Sequence, residues 1–146
     1  MTRLPSEWAA LGIAATSGAA IPDDHGAASI LLPAGHRGAA FMIFANFAAI
    51  EAYNTADSYI IAVGHLADRL AGGPAIAHGW PVADRALTFD ERQEMQRLLT
   101  AAGFSTQGVD GRIGPNTVDA IRAYQQDRGL VPDGYASPGL LDRLRS

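Results

Sequence analysis

The sequence predicts a mainly α chain in two parts: a first part with one β-hairpin set among helices, and a second part of three helices. Three observations predict it. Residues 71–87, AGGPAIAHGWPVADRAL, hold Gly72, Gly73, Pro74, Gly79 and Pro81 in a stretch without helical period, which is linker composition. Before it, two short apolar runs flank a Gly-bearing loop. After it, three segments combine helical spacing with start and stop signals. The divisions that follow are 1–72, 73–86 for the linker, and 87–146.

The totals narrow the function classes. The chain has 146 residues, 48% apolar and 18% charged, a globular composition. A net charge of −4 is wrong for a protein that grips a phosphate backbone, so no nucleic-acid partner is expected. With no Cys, there are no disulfides and no thiolate metal sites. The opening MTRLPSEWAALGIAATSGAA resembles a signal peptide in its small residues. Pro5 and Glu7, and an apolar stretch made mainly of Ala and Gly, favour ordinary domain sequence. No run is long enough to predict a membrane span.

Taken in order, a short helix is expected over 6–11, with Ser6 as its N-cap. SILLP at 29–33 and AAFMIF at 39–44, on either side of AGHRG, predict the hairpin. Asn46 is a cap for a helix over 47–52. A longer helix runs to about Leu70, with Ala56, Tyr59, Ile60, Val63, Ala67 and Leu70 at three- and four-residue steps. Ile61 and Ala62 widen that stripe, which predicts burial on several sides. The first part has too few other elements to provide it, so it reads as a piece of a larger domain.

In the second part, Thr88 and Asp90 are cap candidates for a helix with Met95, Leu98, Leu99 and Ala102 on one side, ended by Gly103. Pro115 opens the next helix, Val118, Ile121 and Tyr124 share a face, and Gly129 closes it. Ser137 caps a third helix that turns Leu140, Leu141 and Leu144 inward. A small repeat lies here: Asp110-Gly111 and Asp133-Gly134 each have their Gly four residues before the Pro that starts a helix. Asp-Gly makes a tight turn and Pro presets the helical φ, so each loop is stiff and aims its helix.

These residues carry a resemblance. Asp110-Gly111-x-Ile113-Gly114-Pro115-x-Thr117, then Ala120-Ile121, Tyr124-Gln125, Gly129-Leu130 and Asp133-Gly134 closely resemble the three-helix type of peptidoglycan-binding domain, over about 87–145. The first part, from LPSEWAALGI through ILLPAGHRGAAFMIFANFAAIEAYNTADSYIIAVGHLADRLAGG, resembles the C-terminal part of the catalytic domain of membrane-bound-type lytic murein transglycosylases. The fold class implied is an incomplete α+β, lysozyme-like portion with a β-hairpin, followed by the three-helix domain. The resemblance also places Tyr53 and Asn54 in the glycan cleft, whereas the spacing of Ser58 and Tyr59 points to packing.

The family cleaves the bond between N-acetylmuramic acid and N-acetylglucosamine. The resemblance implies one Glu acting as acid and then base, in a Glu-Ser-x-x-Gly motif before the Tyr-Asn pair. Such a Glu must be buried among apolar groups to stay protonated near neutral pH. This chain has only Glu7, Glu51, Glu91 and Glu94, and none is in that motif. Glu7 reads as a surface or capping residue, and Glu91 and Glu94 as first-turn carboxylates. No catalytic residue is therefore assigned. His25, His36, His65 and His78 lack ligand spacing, so neither metal nor cofactor is expected.

The expected function is binding of peptidoglycan, through its glycan strands or stem peptides, without cleavage by this chain alone. Candidate contacts are Tyr53 and Asn54 in the first part, and Asp110, Arg122, Tyr124, Gln125 and Tyr135 in a groove of the second. The alternative is an active lytic transglycosylase completed by an upstream catalytic segment. A truncated reading frame, or a decayed one, is a further reading. The ligand implies the periplasm or cell envelope, although no export signal stands out.

Overall fold

The computed structural model describes residues 1–146 as two compact units: Met1–Pro33 with Ala39–Gly79, and Ala34–Gly38 with Trp80–Ser146. The segment 34–38, inside the predicted hairpin loop, thus belongs with the second unit.

In the first unit, α1 (Pro5–Ala10) starts one residue earlier than expected, because Pro5 takes the first helical position. Ser6 is not its cap. The Asp23 carboxylate does that work from 17 residues away, accepting from the Ser6 N–H at 2.8 Å and the Ser6 hydroxyl at 2.7 Å. Glu7 reaches back to the Leu4 N–H at 2.8 Å. Arg3 and Ala28 exchange backbone hydrogen bonds, and the Trp8 indole donates to the Ala28 carbonyl, tying α1 to the start of the hairpin. Strands β1 (Ser29–Leu31) and β2 (Phe41–Ile43) are antiparallel, with Ile30 opposite Met42.

Helix α2 (Ala45–Glu51) begins before Asn46, so Phe44 occupies the cap position and Asn46 lies in the first turn. Helix α3 (Asp57–Leu70) departs most from expectation, since only Ile60 is buried. Leu66 is 60% and Leu70 81% exposed, so the wide apolar stripe is open over much of its length. The large apolar groups that remain uncovered far outnumber the buried Pro5, Ala28, Ala39 and Ile60 of this unit.

The second unit is built around a real core. Helices α4 (Phe89–Ala101), α5 (Pro115–Asp127) and α6 (Pro138–Arg145) bury Met95, Leu99, Ala120, Ile121, Tyr124, Leu140 and Leu141, together with Leu87. Thr88 caps α4 by a reciprocal pair: its hydroxyl accepts from the Glu91 N–H, and Glu91 accepts from the Thr88 N–H. Ser137 caps α6 through the Leu140 N–H. Ala102, expected on the inner side of α4, is exposed at its C-terminal end.

Candidate functional site

Two surfaces gather the candidate residues. The first lies at the junction of α2 and α3. The Ile50 carbonyl accepts from both Tyr53 and Asn54 N–H groups and ends α2. Asn54 Oδ1 then accepts the Ala56 N–H at 2.9 Å, a turn that starts α3 and leaves the amide NH₂ pointing away from this bond. Tyr53 is 84% exposed, and its ring stacks on Tyr59 with centroids 6.3 Å apart and planes 26° apart. Ser58 is exposed, whereas Tyr59 is only 37% exposed and packs against the Tyr53 ring. Two adjacent phenol rings, Tyr53 open to solvent and Tyr59 partly so, offer flat apolar faces with polar tips.

The second surface is built on two Asp-Gly turns that share one design. Gln96, buried on α4, donates to Asp110 Oδ1 at 2.9 Å and accepts the Gly111 N–H at 2.8 Å. Gln125, buried on α5, donates to Asp133 Oδ1 at 2.7 Å and accepts the Gly134 N–H at 2.9 Å. Each Asp also accepts the N–H two residues on, from Arg112 or Tyr135. Both glycines have positive φ, +70° and +74°. Hydrogen bonding holds both carboxyls below the usual range: for Asp110 chiefly from Gln96; for Asp133 burial is the largest single influence and raises it, but the hydrogen bonds from His36, Tyr135 and Gln125 together outweigh it.

The turns also differ in how the Asp is held. Asp133 Oδ2 also receives the His36 N–H at 2.9 Å and lies 2.6 Å from His36 Nδ1, whereas Asp110 is engaged through Oδ1 alone. Gly35 fits against this turn so closely that an added Cβ would lie 2.6 Å from Asp133 Oδ2. Arg37, next in the same segment, pairs with Asp84.

Between the 131–137 turn, the end of α5, the start of α6 and segment 34–38 runs a groove of about 510 Å³. Of the candidates named from sequence, Gln125 and Tyr135 line it. Asp110 is at the other turn. Tyr124 lies in the core, edge-on to Phe104 at 5.7 Å and beneath Arg128. Arg122 packs beside Gly134 and pairs loosely with Asp119. Sequence reasoning missed His36, Arg37 and Arg143 as groove residues. For Arg143 a signal existed: it follows Leu140 by three residues, so the two share a flank of α6.

Comparison with known proteins gives this geometry a context. Residues 1–68 match the family described as "Transglycosylase SLT domain", and residues 89–144 the family described as "Putative peptidoglycan binding domain". The chain is similar, at 46% identity and a TM-score of 0.93, to the crystal structure of SltB3 from Pseudomonas aeruginosa in complex with NAG-anhNAM-pentapeptide; the match covers 100% of this chain and 40% of that one. The SltB3 complex with NAG-NAM-pentapeptide matches equally well, over 99% and 39%. Among curated proteins, the "Putative OxPP cycle protein OpcA" of Nostoc punctiforme is 39% identical over 71 residues, 46% of this chain and 15% of that protein. Its counterpart in Synechocystis is 35% identical over 69 residues, 44% and 14%. The chain therefore spans well under half the length of these relatives.

Proposed function

We propose that this chain, which joins a stretch of transglycosylase SLT domain to a peptidoglycan-binding domain, grips peptidoglycan and does not cleave it unaided. The observation that carries the binding half is the complete three-helix unit, with its own core and two clamped turns, over the residues that match the binding family. The Tyr53–Tyr59 pair, with Asn54 beside it, supplies a second contact, suited to sugar rings.

The second half of the proposal rests on the four glutamates. A general acid for glycoside cleavage needs a carboxyl kept protonated by an apolar pocket. Glu91 is held down to about 2 by Arg85 and the Thr88 N–H, and Glu94 is lowered by Arg145. Glu7 is engaged with the Leu4 N–H, and Glu51 ends α2 in solvent. These settings support the reading that none of the four serves as the acid.

A specific observation favours a second reading, an active lytic transglycosylase when a further segment bearing the acid covers this chain. Leu66 and Leu70 present apolar surface on α3 that nothing here covers. Peptidoglycan as the ligand supports a cell-envelope or periplasmic setting for either activity; no helix is long and apolar enough to cross a membrane.

Purified sacculi test both halves. The chain is expected to pellet with them and to release no anhydro-muropeptides. Failure to pellet rejects binding, and release of anhydro ends rejects inactivity.

A further inference from the structure

The groove in the second unit has a charge and donor pattern that a glycan does not call for. The one side-chain amide in the groove, which would suit sugar hydroxyls and acetamides, is already engaged: Gln125 holds the Asp133-Gly134 turn through both of its ends. What stays uncommitted is cationic or donating. Arg143 lines the groove and forms no ion pair, while its neighbour Arg145 binds both Glu94 and Asp142. The Gly139 N–H, in the first turn of α6, has no acceptor within the protein and also lines the groove. The Tyr135 hydroxyl is a donor at neutral pH like any phenol, and burial, helped by the Asp84 charge, raises its pKa further. The one groove carboxylate, Asp133, is satisfied by Gln125, Tyr135 and His36. Leu130 and the half-exposed Val131 add apolar surface beside these donors.

We propose that this groove takes the C-terminal carboxylate of a peptidoglycan stem peptide, with Arg143 as its charge partner, the Gly139 N–H and the Tyr135 hydroxyl as further donors, and Leu130 and Val131 against the adjoining small side chain. The proposal rests on the peptidoglycan-binding reading and assigns its two contacts to different parts of the polymer: sugar at Tyr53 and Tyr59, peptide end at the groove. An arginine beside a first-turn N–H suits a carboxylate because both act on the same charge, through charge-assisted hydrogen bonds and the helix dipole.

The test uses the full chain and three probes: a synthetic stem pentapeptide ending in D-Ala-D-Ala with a free carboxylate, the same peptide as its C-terminal amide, and a tetramer of N-acetylglucosamine. Binding is read by amide NMR shifts. The acid peptide is expected to shift Leu130, Val131 and Gly139 saturably, and the amide to bind roughly tenfold more weakly, the equivalent of about 1.4 kcal/mol. Arg143→Gln should lose a similar factor for the acid peptide only, while Arg97→Gln, on α4 outside the groove, changes nothing. Equal affinity for acid and amide overturns the proposal, as do groove shifts produced by the sugar tetramer instead. No saturation with peptide up to about 10 mM, with sacculi still pelleted, overturns it too and leaves peptidoglycan binding standing. Loss of pelleting itself removes the reading underneath.

Discussion

Replacing Gln96 with Leu is the sharpest test of how the second unit is held together. Gln96 is 1% exposed, and its amide makes four hydrogen bonds: to Asp110 Oδ1, the Arg112 carbonyl and Thr117 Oγ1, and from the Gly111 N–H. Leu keeps much of the volume and removes all four. Asp110 keeps the Arg112 N–H, and the Arg112 carbonyl keeps the Thr117 hydroxyl. The buried Gly111 N–H is left without an acceptor. One orphaned buried donor costs about 1–3 kcal/mol, and the remaining lost bonds bring the expected loss to roughly 2–4 kcal/mol. For a unit of this size, with total stability of roughly 3–10 kcal/mol, that is a large fraction. Urea unfolding, with amide exchange at Leu99 and Ile121 to report on this unit, measures it. Gln96→Glu sharpens the result. The introduced carboxylate can still accept the Gly111 N–H, but it opposes Asp110 at 2.9 Å. It should be most destabilised at neutral pH and recover as the pH falls and the pair takes up a proton. A loss below about 0.5 kcal/mol for Gln96→Leu, or no pH dependence for Gln96→Glu, would refute the idea that this clamp holds the turn.

Three further predictions follow from the same structure. Tyr53→Ala should weaken pelleting with sacculi several-fold while leaving the melting temperature nearly unchanged, because Tyr53 is 84% exposed, and Tyr59→Ala, at 37% exposure, should weaken pelleting with a modest drop in melting temperature; a large drop with unchanged pelleting would assign them to packing. Gly111→Ala and Gly134→Ala should destabilise by roughly 1–3 kcal/mol in urea titrations, since each needs positive φ and the added Cβ would lie 2.6 Å from the Phe89 ring or 2.8 Å from Val118. The carboxyls of Asp23, Glu91, Glu94, Asp110 and Asp133 all lie below their ordinary values, so the stability they contribute is fully present above about pH 4.5 and is lost as pH falls toward about 2; the urea midpoint should drop over that window, and less so in Arg85→Gln, where Glu91 has lost its main partner.

What was legible in the sequence was local. The hairpin follows from its two apolar runs, and the helices of the second unit follow from Thr88, Pro115 and Ser137-Pro138 at their starts. The Asp-Gly turns were legible as turns because Gly permits the positive φ they need and Pro fixes the φ of the helix start by itself. What stayed hidden was the partner supplied from a distance. Nothing near Ser6 shows that Asp23 will displace it as the cap of α1, and nothing near Gln125 shows that its amide will be held by the following turn, so it read as a free contact. His36 meets Asp133 from 97 residues away, which no local pattern encodes. The stripe on α3 failed for a different reason: periodicity reports which residues can be buried together, and burial needs a covering element that this chain does not provide around Leu66 and Leu70.

The two turns also explain why a unit this small can present a defined groove. In each, the residue seven before the buried Gln covers the turn's glycine: Phe89 stands over Gly111 and Val118 over Gly134. A helix thus grips the following loop twice, once by an apolar contact and once by a buried amide. With a core of eight buried residues, apolar burial alone leaves loops free to shift, and polar clamps remove that freedom at little cost in area. The second turn carries a further clamp, because His36 binds the remaining Asp133 oxygen. The backbone at Gly134 and Tyr135 is therefore fixed from both sides, and it is this turn that walls the groove. A pre-set wall lowers the ordering cost of binding. On the proposed groove reading, Gln125 acts by positioning Tyr135, and the groups left to meet a ligand directly are those that the clamps do not use.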